Sequence, residues 1–349
     1  MGKWQPFEIN GVSIAPGSRA TVRLELPHQS VMTPMTMPVQ VIHGTGDGPV
    51  MFVSAAIHGD EINGVEIIRQ LVKGRRFHGL KGTLITVPTV NVYGFINHSR
   101  YLPDGRDLNR SFPGSPRGSL ASRLAYRFCS EILNRCTHGI DLHTGGGHRT
   151  NHPHIRANLD DPETKAMAQA FGTPVIINAN LKDGSLRQVA TERGVRMLLY
   201  EAGSALRFNR LAVRAGVRGI LNVMRHLGML RRIKGGENAF SSLEARSSSW
   251  LRADVGGIFR SSVPLGQRVQ KGQVLGEMSD AVGEDKSEIR AAFDGIVIGR
   301  TQLPVVNEGD ALFHIARFGD ASEAEAAVEA FHEEHLEGLG DGDLEPHAI

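Results

Sequence analysis

The stretch Val50-Met51-Phe52-Val53-Ser54-Ala55-Ala56-Ile57-His58-Gly59-Asp60-Glu61 decides the fold. Its apolar run has the length of a buried strand and falls far short of the roughly 20 residues that a membrane span needs. A helical pattern follows over 63–72. A strand apolar on both faces and then a helix is the repeating unit of a parallel sheet. The alternation recurs along the first two thirds of the chain. The pattern predicts strands at 51–55, 84–87, 140–142, 175–177 and 197–200, and helices at 63–72, 120–134, 163–171 and 207–227. In the second of these helices Leu120, Leu124, Phe128 and Ile132 share a face, with Ser119 placed to cap the start. The class is α/β with a largely parallel sheet.

Composition narrows the function. Apolar residues are 40% and charged residues 22% of the 349, which fits a globular chain and leaves no apolar run for a bilayer. The N-terminal residues lack the apolar stretch of a secretory signal, so a cytoplasmic protein with no membrane partner is expected. Two cysteines, Cys129 and Cys136, make no disulfide framework. The net charge of +2 conceals an asymmetry: from Asp320 onward there are ten acidic residues and no Lys or Arg. The rest sets 39 basic against 27 acidic residues, a net of +12. The basic residues are scattered without aromatic interleaving, so a site for an acidic small molecule is a better reading than nucleic acid.

Three apolar runs end in metal-binding or acid–base side chains. His58-Gly59-Asp60-Glu61 closes the first, and the spacing lets one turn aim His58 and Glu61 at a common point. Asp141-Leu142-His143 closes the second, with Asp141 and His143 on one face of an extended chain and Gly145-Gly146-Gly147 allowing close approach of backbone. Tyr200-Glu201 closes the third. In a parallel sheet these ends meet at one rim, where open α/β sheets bind ligands. Two histidines, a carboxylate and an open position form a catalytic zinc pattern. Bound zinc activates water, and Glu201 is the carboxylate free to act as general base. Asp60 and Asp141 are candidates to orient the histidines. His148, His152 and His154 read as pocket lining or solvent-facing groups rather than a second metal site. In a Gly/Pro-bounded loop, Arg106-Asp107-Leu108-Asn109-Arg110 offers two guanidinium groups and an amide suited to a carboxylate, or one arginine to polarise the scissile carbonyl.

The set His58-x-x-Glu61, Asp107-Leu108-Asn109-Arg110, Asp141-Leu142-His143 and Glu201 resembles the succinylglutamate desuccinylase/aspartoacylase family, a branch of the zinc carboxypeptidase-like fold, over roughly residues 30–230. The resemblance implies a mixed sheet flanked by helices and a deacylase that cleaves the amide of a small carboxylate-bearing N-acyl amino acid. It also implies one zinc per chain on His58, Glu61 and His143, with Glu201 as base and Asn109 and Arg110 on the substrate carboxylate. The family's carbonyl-polarising arginine lies upstream of the Asp-Leu-Asn-Arg motif. Arg100 and Arg106 both qualify, and adjacency to the motif favours Arg106. A zinc carboxypeptidase or amidase acting on a peptide-like substrate is the alternative within enzymes. A non-catalytic binding protein on the same fold is the alternative outside them.

Composition changes after Met229, with a linker region expected over 234–237 and at Ser247-Ser248-Ser249. Up to Arg317 the sequence becomes short β-runs broken by glycines. The division expected is 1–235 catalytic, 236–319 a small β-barrel, and 320–349 an acidic tail, helical and then disordered. Val269-x-Lys271-Gly272-x-x-Leu275-Gly276 and Ala291-x-x-Asp294-Gly295 resemble a lipoyl/biotinyl-carrier barrel, but Lys286 lacks the carrier signature around it. The barrel therefore reads as a structural wall or a homo-oligomer contact. Intact mass spectrometry should give the sequence mass, apart from processing of the initiator methionine. An added lipoyl or biotinyl mass on Lys286 would overturn that reading.

Overall fold

A computed structural model of the chain describes residues 4–27, 34–74, 76–179, 182–233 and 240–336. The first part of the expected linker (234–237) and the expected disordered end (338–349) lie outside these residues, whereas Ser247-Ser248-Ser249, read as linker, pairs with 315–317 as the start of a strand. The strands that organise the fold are β1 (Arg19–Glu25), β2 (Thr36–His43), β3 (Gly46–Ala55), β4 (Lys81–Val87), β5 (His138–Gly145), β6 (Arg149–Ala157), β7 (Val175–Asn178), β8 (Arg196–Ser204) and β9 (Ser247–Arg252). They continue with β10 (Gly257–Ser261), β11 (Val274–Ser279), β12 (Lys286–Arg290), β13 (Gly295–Thr301), β14 (Val305–Val306) and β15 (Ala311–Arg317). The principal helices are α1 (Asn63–Leu71), α2 (Leu120–Glu131), α3 (Pro162–Phe171), α4 (Leu186–Glu192), α5 (Arg210–His226) and α6 (Ala321–Leu336). No described helix is long and apolar enough to cross a membrane.

One large sheet runs in the order β9-β15-β13-β6-β8-β5-β3-β4-β2-β1, with β7 pairing on β6. Its centre, β8-β5-β3-β4, is parallel, and its flanks are antiparallel, so the sheet is mixed. Alternation along the strands sends Met51, Val53 and Ala55 to one face, where α1, α3 and α5 pack, and Phe52 to the other, where α2 and α4 pack. The five predicted strands and four predicted helices all form. Ser119 caps α2 by accepting from the Ser122 amide, and Leu124 and Phe128 are fully buried. Arg149–Ala157 had no strand signal, because three of its residues are histidine or asparagine and one is proline.

The segment beyond Ser247 is all-β as expected, but a carrier-type barrel is not confirmed. A four-stranded sheet, β12-β11-β10-β14, encloses a core around Phe259, Leu312 and Phe313. The remaining strands extend the large sheet instead of closing on themselves. Half of one edge of β6 is free of β7, and β13 covers it through Gly299↔Asn151 and Arg300↔Thr150. α6 folds the start of the acidic tail back onto β13 and α5 with Phe331 fully buried.

α1 sits close to the sheet because Gly64 lacks a side chain: a Cβ there would lie 2.6 Å from the Ala55 Cβ and 2.7 Å from the Leu142 Cβ. Gly64→Val should therefore lift the helix and destabilise the chain by about 1–3 kcal/mol. Urea denaturation checks this, and an unchanged midpoint would show that α1 does not depend on that contact.

Candidate metal and catalytic site

The parallel register aligns the three strand ends. Ser54 pairs with Asp141, and His143 pairs with Glu201. Asp141, His143 and Glu201 alternate with the core residues Ile140, Leu142 and Tyr200, so they project to the opposite face, as the two-residue spacing predicts. Beyond β3 the chain turns sharply, with Ala56 at a φ of 51°. Gly59 then lies so near Gly94 that a Cβ would stand 2.0 Å from its carbonyl carbon. This turn delivers His58 and Glu61.

His58, Glu61 and His143 converge, with one ligand atom from each lying within 4.8 Å of the others. The Glu61 carboxylate stands between the two rings, with Oε1 2.7 Å from His58 Nδ1 and Oε2 2.9 Å from His143 Nδ1. Each histidine turns its other nitrogen to a carboxylate. His143 Nε2 is 2.7 Å from Asp141 Oδ2, and His58 Nε2 is 3.2 Å from Asp107 Oδ1. Asp141 is itself held by the Ser54 hydroxyl at 2.7 Å. Carboxylates on both distal nitrogens fix the tautomers that leave each Nδ1 lone pair facing the common point. Two nitrogens and one oxygen, all buried and oriented from behind, fit a zinc ion of the catalytic type. Asp60 shares no hydrogen bond with either histidine, and one of its carboxylate oxygens is buried without a partner.

Electrostatics follows the same pairing. Burial opposes charge on all three residues, but Glu61 and its neighbours win. His58 is raised by Glu61 and Asp107, His143 is raised well above the usual imidazole range by Asp141 and Glu61, and Glu61 is held well below the carboxylate range. Burial first, then the charge of Glu61, pushes Glu201 upward. Asn151 donates to Glu201 Oε2 at 2.9 Å.

These groups line a cavity of about 490 Å³ together with Arg100, Asn109, Arg110, Arg156, Trp250 and His314. Arg106 lies outside this lining. Its side chain is 62% exposed and faces Asp104 at 3.6 Å. Arg100, the other candidate, lines the cavity, with Nη1 3.3 Å from Glu61 Oε1 and Nη2 donating to Asp107 at 2.9 Å. Gly146 makes room for it, since a Cβ there would stand 2.9 Å from Arg100 Nη1. The loop after Tyr101 turns Arg106 outward, away from the cavity. Asn109 is buried and accepts from the Leu186 amide at 2.9 Å, while Arg110 is exposed at the mouth. His154 lines the cavity. His152, by contrast, is buried beneath α6 with Nε2 3.0 Å from His332, neither lining nor solvent-facing. Trp250 and His314, stacked 4.8 Å apart, enter from the C-terminal segment with no signal in the sequence.

Comparison with known proteins agrees with this architecture. The sequence model of the succinylglutamate desuccinylase/aspartoacylase catalytic domain matches residues 47–227. The N-alpha-acetyl-L-2,4-diaminobutyric acid deacetylase of Halomonas elongata is 30% identical over 323 residues, covering 89% of this chain and 93% of that protein. The crystal structure of a succinylglutamate desuccinylase/aspartoacylase from Rhodobacter sphaeroides superposes with a TM-score of 0.76 at 29% identity, over 86% of this chain and 96% of that one. A product-bound structure of the ectoine utilization protein EutE (DoeB) from Ruegeria pomeroyi gives 0.79 at 25% identity, over 90% and 100%. With the matched domain spanning half the sequence and a relative alike over nearly its whole length, the chain belongs to the succinylglutamate desuccinylase/aspartoacylase family.

Proposed function

We propose that this chain is a zinc-dependent deacylase that hydrolyses the amide bond of a small N-acyl amino acid. The observation that carries the reading is the convergence of His58, Glu61 and His143 beside Glu201, a carboxylate outside the ligand set, in one cavity. The H. elongata relative, named for removing an acetyl group from an amino acid, supports the substrate class. A cavity of about 490 Å³, walled on one side by Trp250 and His314, suits a small molecule better than an extended peptide.

His58, Glu61 and His143 would hold the ion, which supplies a Lewis acid and lowers the pKa of water toward about 7. Glu201 accepts a proton from the attacking water and later delivers it to the departing nitrogen. The upward push on Glu201 suits a group that must both take and return a proton. Arg100, in place of Arg106, stands beside Glu61 and is positioned to polarise the acyl carbonyl. Asn109 and Arg110 receive the substrate carboxylate. The Asn109 side-chain oxygen Oδ1 is committed to the Leu186 amide, which leaves its NH2 group to donate.

Changing His58, Glu61 or His143 to Ala should lower zinc content and activity together. Glu201→Gln separates the roles: it should keep about one zinc per chain, while kcat falls by roughly 100- to 10,000-fold. Metal analysis with steady-state kinetics decides the matter. Near-normal kcat would move the base elsewhere, and loss of zinc would make Glu201 a ligand.

Arg110→Ala should raise KM, since loss of a charge-assisted contact costs on the order of 2–5 kcal/mol when buried by substrate. Replacing the substrate carboxylate by an amide should then hurt the wild type far more than the variant. Equal sensitivity in both would release Arg110 from the role.

A further inference from the structure

The strand that carries Glu201 loses its regular pairing directly after that residue. The register of β8 shifts between Glu201 and Ser204 against β5, and between Glu201 and Gly203 against β6. A side chain from the turn that bears the metal ligands enters this irregular step. Asn63 is the first residue of α1, two residues beyond Glu61, and is 1% exposed. Its Nδ2 donates to the Ala202 carbonyl at 3.4 Å, and its Oδ1 accepts from the Asn209 amide at 2.8 Å. Gly203, at a φ of 73°, leaves the space, since a Cβ there would stand 2.5 Å from Asn63 Nδ2. Asn209 in turn caps α5 by accepting from the Ala212 amide. Two backbone bonds run alongside. The Leu206 amide donates to the Asp60 carbonyl at 2.8 Å, and the Ala205 amide donates to the Gly145 carbonyl at 3.2 Å. Residues 202–209 therefore clasp the turn that bears His58 and Glu61 to the strand ends that bear His143 and Glu201. The side chain at 63 has a demanding task. Its partners are a backbone C=O and a backbone N–H, whose roles cannot be exchanged, so one short group must donate and accept at once. An aspartate could accept but not donate, and an alanine could do neither.

We propose that Asn63 is a positioning residue: by locking the irregular step of β8 to the turn before α1, it sets where the Glu201 carboxylate stands relative to His58, Glu61 and His143. It acts through Glu201, because it does not itself line the cavity. The consequence for turnover rests on the deacylase reading, whereas the clasp does not. Loosening the clasp leaves the ligand set intact, since Glu61 is held by both histidines and by the Thr144 amide. What changes is the alignment of the base, and a misplacement of about 1 Å can cost about 100-fold in rate.

The test compares Asn63→Ala and Asn63→Asp in the full zinc-loaded chain, alone and combined with Glu201→Gln, on a panel of N-acetyl, N-formyl and N-succinyl amino acids. Both single variants should keep about one zinc per chain and an unchanged KM, with kcat lowered by roughly 10- to 100-fold. In the Glu201→Gln background the same changes should lower kcat by no more than about twofold, because the group they act through is already disabled. Hydrogen exchange supplies a reading that needs no turnover. The Asn209 amide should exchange roughly tenfold faster in Asn63→Ala. It should stay slow in Asn63→Asp, which still accepts from it, and core strands should exchange as in the wild type in both. Asn63→Asp keeps one of the two bonds and carries the test should the alanine variant fail to fold. Wild-type kcat in Asn63→Asp, an effect confined to KM, loss of zinc, or costs that multiply with Glu201→Gln each overturn the proposal. Unaltered exchange at Asn209 in a folded Asn63→Ala does the same. A wild type that turns over no member of the panel, with the expected exchange pattern, sinks the deacylase reading and leaves the clasp standing.

Discussion

Everything near the cavity is arranged around one costly placement: the Glu61 carboxylate, 2% exposed, between two buried imidazoles. A carboxylate taken out of water without partners costs several kcal/mol. Here each oxygen meets a ring nitrogen, and the Thr144 amide adds a third donor at 3.0 Å. The histidines in turn lean on Asp141 and Asp107, and Asp141 leans on Ser54. The chain of dependence ends in backbone. Ser54 and Asp141 face each other because β3 and β5 are parallel and in register, and a slip of one residue would put the two on opposite faces.

That dependence explains what the sequence could reveal. A parallel strand buried on both faces reads as an unbroken apolar run, so a polar side chain at its end stands out, and His58, His143 and Glu201 stood out in this way. Helices were legible because α1, α2, α3 and α5 each bury one stripe against the sheet. The groups that were not legible reach the cavity from segments whose local pattern says nothing about it. Arg100 and Arg106 flank the same loop, and only the turn of the backbone between them separates the one facing Asp107 from the one facing solvent. Trp250 arrives from more than a hundred residues beyond His143, and its aromatic ring would suit a small β-core equally well. β6 was missed because its side chains serve the cavity and α6 more than a hydrophobic core.

The carrier-like appearance of the C-terminal segment has a related cause. Glycine-punctuated short strands describe any small, tightly curved β-structure. Whether such strands close on one another or extend an existing sheet depends on whether a neighbouring edge is open. β6 offers one, because β7 covers only its C-terminal half.

β6 is thus a seam as well as a wall. One edge is laddered to the α/β strand β8, the other is shared by β7 and β13, and its side chains at 149, 151, 154 and 156 line the cavity. The two parts of the molecule are consequently not interchangeable modules. A graft that replaced the C-terminal strands would leave Asn151 without the Gly299 backbone beside it, and so disturb the hydrogen bond that steadies Glu201. In an evolving lineage, recognition and architecture would have to drift together along this one strand, so a change of substrate would tend to leave its mark on the sheet pairing.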